Sequence, residues 1–158
     1  MSFVIHLQKE NFKFSCSHFT VLTPSHAECL HGHNYQMRVS IKVSDLDPNL
    51  GFAFDFNLVK PMIKALCDGL DEKILLPKNS PYVTVESKGS QINVQFGEKK
   101  YSFPKSDSII LPISNVTSEE LARWMGLELK KKMKDVPRFL KLRVSIEETR
   151  GQSVSFTI

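Results

Sequence analysis

The sequence has few cysteines, no long apolar run and only a small excess of positive charge. Its three cysteines, Cys16, Cys29 and Cys67, are an odd number without paired spacing, which argues against a disulfide framework and for a reducing compartment. No apolar run approaches the roughly 20 residues of a membrane-spanning helix, and the N-terminus does not have the basic-then-apolar layout of a signal peptide. We therefore predict a soluble cytoplasmic protein with no membrane partner.

The charge balance argues against a nucleic-acid partner. The 21 Lys and Arg residues exceed the 17 Asp and Glu residues by a net charge of +4, which is small for a nucleic-acid binder. The only dense basic run, Lys130–Lys134, lies on a predicted helix beside Glu128 and Asp135, a pattern typical of a solvated helix face.

Length and composition predict one domain spanning residues 1–158. The chain is 41% hydrophobic, enough to close a single core, and its 24% of charged residues, 7 glycines and 8 prolines fit neither a disordered nor a fibrous protein.

The hydrophobic pattern predicts an α+β fold. Alternating apolar and polar residues predict strands near residues 12–18, 31–43, 140–148 and 154–158. A first helix is expected from a cap at Asp55 or Asn57 to Leu70, and a second begins with a capping box formed by Thr117 and Glu120. Residues 77–112, between the two helices, are interpreted as an inserted β-hairpin or small meander.

Three histidines fall on the inward faces of two predicted strands. His31 and His33 are two residues apart on one strand, and His18 has the same phase on the other. Each histidine alone is more simply a hydrogen-bonded core or rim residue. Together, two ligands from one strand face and a third from its neighbour can meet a tetrahedral ion and leave its fourth position open, and neutral imidazole is a common zinc ligand. The triad therefore predicts a zinc site.

The carboxylate of Glu148 occupies a position where the alternation requires an apolar residue. A buried carboxylate must be paired, hydrogen-bonded or bound to a ligand that donates protons. The alternative is that the strand ends at Ile146 and Glu148 is a solvated turn residue, and spacing alone leaves both interpretations open.

Further candidates for proton transfer lie in two loops. Cys29, two residues before His31, could be an activated thiolate beside a metal or a small apolar filler, and Glu28 could reach the same site. Asp71 and Glu72 form an acidic pair after the first helix, where solvation of the helix end is the simpler interpretation.

Ordered motifs give the sequence a resemblance to the 6-pyruvoyl-tetrahydropterin synthase family, which includes the 6-carboxytetrahydropterin synthases of the queuosine pathway. His-Gly-His-Asn-Tyr, with an upstream Ser-x-His and a terminal Glu-Thr, is the specific signature, and the other pieces are individually weaker. The motifs run in order from about residue 12 to the C-terminus: Phe14–Phe19, Leu30–Tyr35, Gly51 with Asp55-Phe56, Leu70-Asp71, Asn115–Glu119 and Glu148-Thr149.

The resemblance implies a fold, an assembly and a set of ligands. The expected fold is the tunnelling fold, an antiparallel four-stranded sheet with two helices on one face, assembled as a trimer or hexamer with sites between subunits. His18, His31 and His33 would hold Zn²⁺. Glu148 would accept hydrogen bonds from the guanidine-like edge of a pterin. Thr117 and Ser118 would help to hold the ring.

The resemblance also implies a reaction, from which this sequence departs at the proton-transfer residues. The family acts on 7,8-dihydroneopterin triphosphate with a cysteine base and an Asp-His pair, and triphosphate leaves. Family members place that cysteine four to six residues before the first histidine of His-Gly-His, where this sequence has Ser25–Ala27. Cys29 or Glu28 would take its role, and Asp71 with Glu72 would replace the Asp-His pair.

Three hypotheses follow for the function. The first is a zinc-dependent lyase that converts 7,8-dihydroneopterin triphosphate to 6-carboxytetrahydropterin or 6-pyruvoyl-tetrahydropterin. The second is a relative that binds zinc and pterin without this elimination. The third is a structural β-rich protein whose histidines bind nothing.

Overall fold

The computed structural model describes residues 2–158, which form twelve strands and two α-helices. The strands are β1 (Phe3–Leu7), β2 (Lys13–His18), β3 (Val21–Thr23), β4 (His26–Ala27), β5 (His31–Val43), β6 (Lys73–Pro77), β7 (Thr84–Lys88), β8 (Gln91–Phe96), β9 (Lys99–Pro104), β10 (Ser108–Leu111), β11 (Phe139–Thr149) and β12 (Gln152–Thr157). The helices are α1 (Lys60–Leu70) and α2 (Ser118–Lys132). Neither helix in this part of the chain is long and apolar enough to span a membrane.

Seven strands form the main sheet, in the order β10, β6, β2, β5, β11 and β12, with β1 paired to the second half of β5. The 13-residue strand β5 is the centre of this sheet, because it pairs with β2 through its first half, with β1 through its second half and with β11 along most of its length. These pairs are antiparallel, whereas β6 runs parallel to both β2 and β10. The sheet is therefore mixed.

Both helices pack against one face of this sheet and close the core. The inward positions of β5, from Tyr35 to Val43, are fully buried, as the alternation predicts. Each fully buried Leu, Ile, Val or Met side chain contributes about 1.5–3 kcal/mol relative to exposure. The helix residues buried in this core are Ile63, Leu66, Cys67 and Leu70 from α1 and Leu121, Ala122, Met125 and Leu129 from α2.

Local signals start both helices close to their predicted positions. Asp55 accepts a hydrogen bond from the Asn57 amide at 2.8 Å in a 3-10 turn that leads into α1. Thr117 caps α2 by accepting from the Glu120 amide at 3.2 Å. The reciprocal half of the predicted capping box does not form, because the Glu120 carboxylate accepts from Ser114 and Arg123 instead.

The insertion between the helices is a separate three-stranded antiparallel sheet, β7-β8-β9. It has its own apolar cluster, in which Ile92, Val94 and Phe96 pack with Phe19 and Ala27 from the other part of the chain. The insertion therefore packs on the segment that connects β2 to β5.

One detail of the predicted architecture is wrong. The four predicted strands β2, β5, β11 and β12 form the antiparallel centre, but the sheet has seven strands and is mixed rather than a four-stranded antiparallel one. The insertion is the small meander of the two predicted alternatives, and its three-stranded sheet covers residues 84–104 within the predicted 77–112 segment. The end of that segment is β10, which returns to the main sheet beside β6.

Candidate metal centre

Three histidine rings converge where β2 ends and β5 begins. His18 and His31 lie directly opposite each other in the antiparallel ladder, and His33 follows two residues later on the same face. The ring centroids are 4.8 Å apart for His18 and His31, 5.4 Å for His18 and His33, and 4.8 Å for His31 and His33. One potential ligand atom from each ring lies within 4.8 Å of the other two, so the three could hold a metal ion.

Backbone carbonyls fix the orientation of two of these rings. Nδ1 of His18 is 3.1 Å from the Val116 carbonyl oxygen, and Nδ1 of His31 is 2.7 Å from that of Cys29. A carbonyl only accepts, so both Nδ1 atoms carry a proton, and in the neutral rings both Nε2 atoms then present a lone pair. Nε2 of His31 in turn lies 2.9 Å from Nε2 of His33.

Burial keeps His18 in the neutral form that binds metals. The residue is only 1% exposed, and this desolvation lowers the pKa of His18, with His31 and His33 adding to the effect. The Val116 hydrogen bond and the nearby Glu148 charge oppose this lowering of the pKa but do not reverse it.

Glu148 is an inward-facing, half-buried carboxylate beside the histidines. Strand β11 continues to Thr149, so the structure excludes the solvated-turn interpretation of Glu148. Its Oε1 accepts a hydrogen bond from the Tyr35 hydroxyl at 3.1 Å and lies 3.2 Å from Nε2 of His33. Its Oε2 accepts from the Ser118 hydroxyl at 2.9 Å. The hydroxyls of Tyr35 and Ser118 therefore hold this carboxylate beside the histidine triad.

The carboxylate of Glu28 also lies beside the triad. Its Oε2 is 3.9 Å from Nε2 of His31 and 3.3 Å from the Thr20 amide nitrogen, which donates to it. The thiol of Cys29 is exposed and does not belong to the metal-ligand cluster found among residues 2–158. Cys29 lines a 660 Å³ cavity between this loop and the insertion, together with Glu28, Phe96 and Lys99.

Asp71 and Glu72 are not brought into contact with the histidines. The Ser15 amide donates to Asp71 at 2.7 Å, and the Glu72 amide donates to the Ser15 carbonyl at 2.7 Å. Ser15 precedes His18 by three residues, or about 10 Å along a strand. No hydrogen bond or ion pair joins either acid to the triad within the described chain, although Glu72 lines a 780 Å³ cavity that His33 and Glu148 also border.

Comparison with known proteins decides the family of this chain. A family model described as 6-pyruvoyl tetrahydropterin synthase matches residues 6–157. The chain belongs to the 6-pyruvoyl tetrahydropterin synthase family. It is accordingly a pterin synthase of the lyase type.

The alignments of this family member with its sequence relatives cover most of the chain. A protein of Methanocaldococcus jannaschii, provisionally named 6-carboxy-5,6,7,8-tetrahydropterin synthase, is 32% identical over 148 residues, which cover 91% of this chain and 88% of the relative. The 6-carboxy-5,6,7,8-tetrahydropterin synthase of Rickettsia bellii is 24% identical over 138 residues, covering 87% of this chain and 89% of the relative.

Solved members of the family share its fold. The 6-pyruvoyl tetrahydropterin synthase of Plasmodium falciparum is 26% identical with a TM-score of 0.90, covering 99% of this chain and 98% of that one. The Plasmodium vivax structure of the same name has a TM-score of 0.93 at 22% identity, covering 100% of this chain and 98% of that one. The mixed sheet with two helices is thus the fold of the family.

Sequence reasoning missed Tyr35 as a site residue. Its ring is fully buried, and its hydroxyl lies 3.1 Å from both Nε2 of His18 and Oε1 of Glu148. Burial and the nearby Glu148 charge raise the pKa of Tyr35, so the hydroxyl remains a donor. The available signal was that a tyrosine at an inward strand position needs a hydrogen-bond partner.

Proposed function

We propose that the protein is a zinc-dependent lyase that acts on 7,8-dihydroneopterin triphosphate and releases triphosphate. The observation that supports this most directly is the convergence of three imidazoles beside the Glu148 carboxylate. The product we favour is 6-carboxytetrahydropterin, formed with uptake of water and loss of the two outer side-chain carbons as acetaldehyde besides triphosphate, because the Methanocaldococcus and Rickettsia relatives carry that synthase name.

The donor set fits Zn²⁺. Zn–N bonds of about 2.1 Å place two nitrogens of a tetrahedral site about 3.4 Å apart, and the three ring nitrogens here lie within 4.8 Å of one another. Three protein ligands leave a fourth position for substrate, as in catalytic zinc sites. Zinc bound by His18, His31 and His33 would supply Lewis acidity to the substrate's side-chain hydroxyls.

Glu148 is proposed to anchor the pterin. A carboxylate can accept two parallel hydrogen bonds from a guanidine-like edge, and each of its oxygens has a second acceptor site besides the one used by Tyr35 or Ser118. Ser118 therefore acts by orienting Glu148. The Thr117 hydroxyl oxygen accepts a hydrogen bond from the Glu120 amide, so its O–H remains available to donate to the pterin ring.

Glu28 is proposed as the base, in preference to Cys29. Its carboxylate lies 3.9 Å from the His31 ring nitrogen and accepts from the Thr20 amide, whereas the hydrogen bond between Cys29 and the triad in the described chain uses its backbone carbonyl and not its thiol. Two solved variants of the Plasmodium vivax enzyme, in which a glutamate is replaced by alanine or cysteine, are described as catalytic-residue mutants, which supports a glutamate in this role. Glu72, on the cavity wall shared with Glu148, is the proposed second proton carrier; its amide donates to the Ser15 carbonyl, and Asp71 accepts from the Ser15 amide.

The experiment combines metal analysis with turnover. We expect about one zinc per chain, lost in His31→Ala, and zinc-dependent release of triphosphate from 7,8-dihydroneopterin triphosphate, with the pterin product identified by mass spectrometry. Glu28→Gln should retain zinc and lose turnover by about 100-fold or more, the usual size of a general-base effect. Cys29→Ala is the matched control and should retain both.

Three outcomes would contradict parts of this proposal. Protein that never holds zinc would refute the metal centre. Zinc-loaded protein that binds pterin without turnover would establish the binding relative instead. Full activity in Glu28→Gln with loss in Cys29→Ala would move the base to the thiol.

A further inference from the structure

The inserted sheet contacts both segments that flank the metal centre. Phe19, the residue after His18, stacks on Tyr101 of β9 at 5.6 Å, and Tyr101 stacks on Phe103 at 5.6 Å. Ala27, just before Glu28, is 4% exposed and belongs to the same apolar cluster. The hairpin β3-β4, which joins the two histidine strands, is therefore packed on the insertion.

Lys99, the first residue of β9, binds the loop that carries Glu28. Its Nζ donates to the carbonyl oxygens of Ala27 at 3.2 Å and Glu28 at 3.3 Å. No carboxylate oxygen lies within 4.0 Å of this Nζ among residues 2–158, so its closest acceptors are these two carbonyls. Hydrogen bonds from a charged donor are about twice as strong as neutral ones.

Thr20 contacts both the backbone and the carboxylate of Glu28. The Glu28 amide donates to the Thr20 carbonyl at 2.9 Å, and the Thr20 amide donates to the Glu28 carboxylate at 3.3 Å. Thr20 follows Phe19, which the insertion holds through Tyr101. Both partners of Glu28 are thus tied to the same inserted sheet, one through a lysine and the other through an aromatic stack.

We infer that Lys99 is a positioning residue for Glu28, and that the inserted sheet serves the reaction by holding the 26–29 loop against the triad. This inference rests on the proposed role of Glu28 as the base. A catalytic group displaced by about 1 Å can lose on the order of 100-fold in rate. Lys99 does not touch the metal ligands and acts only through the loop.

The test compares Lys99→Met, Lys99→Arg and Lys100→Met by hydrogen exchange and kinetics. Lys99→Met keeps the aliphatic chain and removes the donor, and Lys99→Arg restores a charged donor. Lys100 is the matched control, because it is exposed and lines the polar face of the insertion with Thr84 and Asn93. Hydrogen-exchange mass spectrometry follows the peptide containing residues 26–30.

In Lys99→Met, exchange in the 26–30 peptide should be at least about tenfold faster, and kcat should fall by about tenfold with KM and zinc content unchanged. Lys99→Arg and Lys100→Met should match the parent protein in all four measurements. The inference is overturned if Lys99→Met leaves exchange of the 26–30 peptide unchanged, or if Lys100→Met has the same effects. Accelerated exchange with unchanged kcat in Lys99→Met, together with full activity in Glu28→Gln, would refute the base role of Glu28 while confirming that Lys99 anchors the loop.

Discussion

Burial separates the three cysteine side chains by reactivity. Cys16 and Cys67 are buried, and Cys29 is exposed. Desolvation, with a smaller effect of the nearby Glu148 charge, raises the pKa of Cys16 to about 12, and desolvation likewise raises the pKa of Cys67 to about 12. Because the thiolate is the nucleophile, these two residues stay protonated and inert near neutral pH.

Native protein at pH 8 is therefore expected to react with a disulfide reagent such as Ellman's reagent at about one thiol per chain. Protein unfolded in guanidinium chloride should react at three, because burial and its pKa effect are then lost. The Cys29→Ala variant should show no fast-reacting thiol in the native state. Two or more fast thiols in the native protein would mean that Cys16 or Cys67 is accessible.

Strand alternation predicted the histidine triad from the sequence because it is a strictly local rule. His31 and His33 must share a face at a spacing of two, and the phase of His18 placed it on the matching face of its own strand. Nothing local decided between Glu28 and Cys29, since the loop that carries them is irregular and its position depends on the insertion. No local pattern indicates a site role for Tyr35, because its hydroxyl contacts come from residues distant in sequence.

At the scale of the helices, two glycines meet different surroundings. A Cβ added at Gly69 in α1 would have no atom within 4 Å outside its own helix and chain neighbours. A Cβ added at Gly126 in α2 would lie 2.9 Å from Cδ1 of Phe156 and 3.7 Å from Cγ2 of Val144. Gly126 therefore allows α2 to approach β11 and β12 closely.

Alanine substitutions should change stability in opposite directions at these two glycines. Gly69→Ala should raise the free energy of unfolding by about 0.5–1 kcal/mol through helix propensity. Gly126→Ala should lower it by about 1–2 kcal/mol, because the Phe156 ring must move out of its packed position. Urea denaturation at matched protein concentration measures both changes. A stabilised Gly126→Ala protein would show that the ring relaxes without cost.

Among the elements, those with local signals were predictable and those defined by distant partners were not. Helix α2 has its cap and its apolar period within 15 residues, and β5 has an unbroken alternation. The pairing of β6 with β10 joins residues more than 30 positions apart, such as Ile74 and Ser108, and no local pattern indicates it. Strand β1 was missed because its burial is irregular, with only Leu7 buried.

For the molecule as a whole, β12 leaves one edge of the main sheet unpaired in the described chain. Leu142 and Ile158 exchange backbone hydrogen bonds at 2.8 and 2.9 Å. The antiparallel alternation then directs the N–H and C=O groups of Ser155 away from β11. Charged residues and prolines usually protect a free sheet edge from pairing with another chain, and residues 152–157 contain neither. This strand is therefore suited to pair with another copy of the protein.

Ser155→Pro tests this expected homo-oligomer. The substitution removes an outward N–H without breaking the β11 ladder, so it should weaken self-association by about tenfold or more while the fold is retained. Sedimentation velocity over a concentration series measures the effect. Ser155→Ala is the control, because it also loses the hydroxyl contact with Ser145 but keeps the N–H. Equal association of both variants would place the interface elsewhere.

The parallel pairing of β6 with β10 limits how the insertion can be shortened. Neighbouring parallel strands cannot be joined by a tight turn, because the chain must travel back along the sheet, and such crossovers need about a dozen residues or more. The segment between Pro77 and Ser108 forms this crossover connection. A deletion within β7–β9 must therefore leave a connection long enough for β10 to run parallel to β6. With a shorter connection, β10 could not pair at the edge of the main sheet.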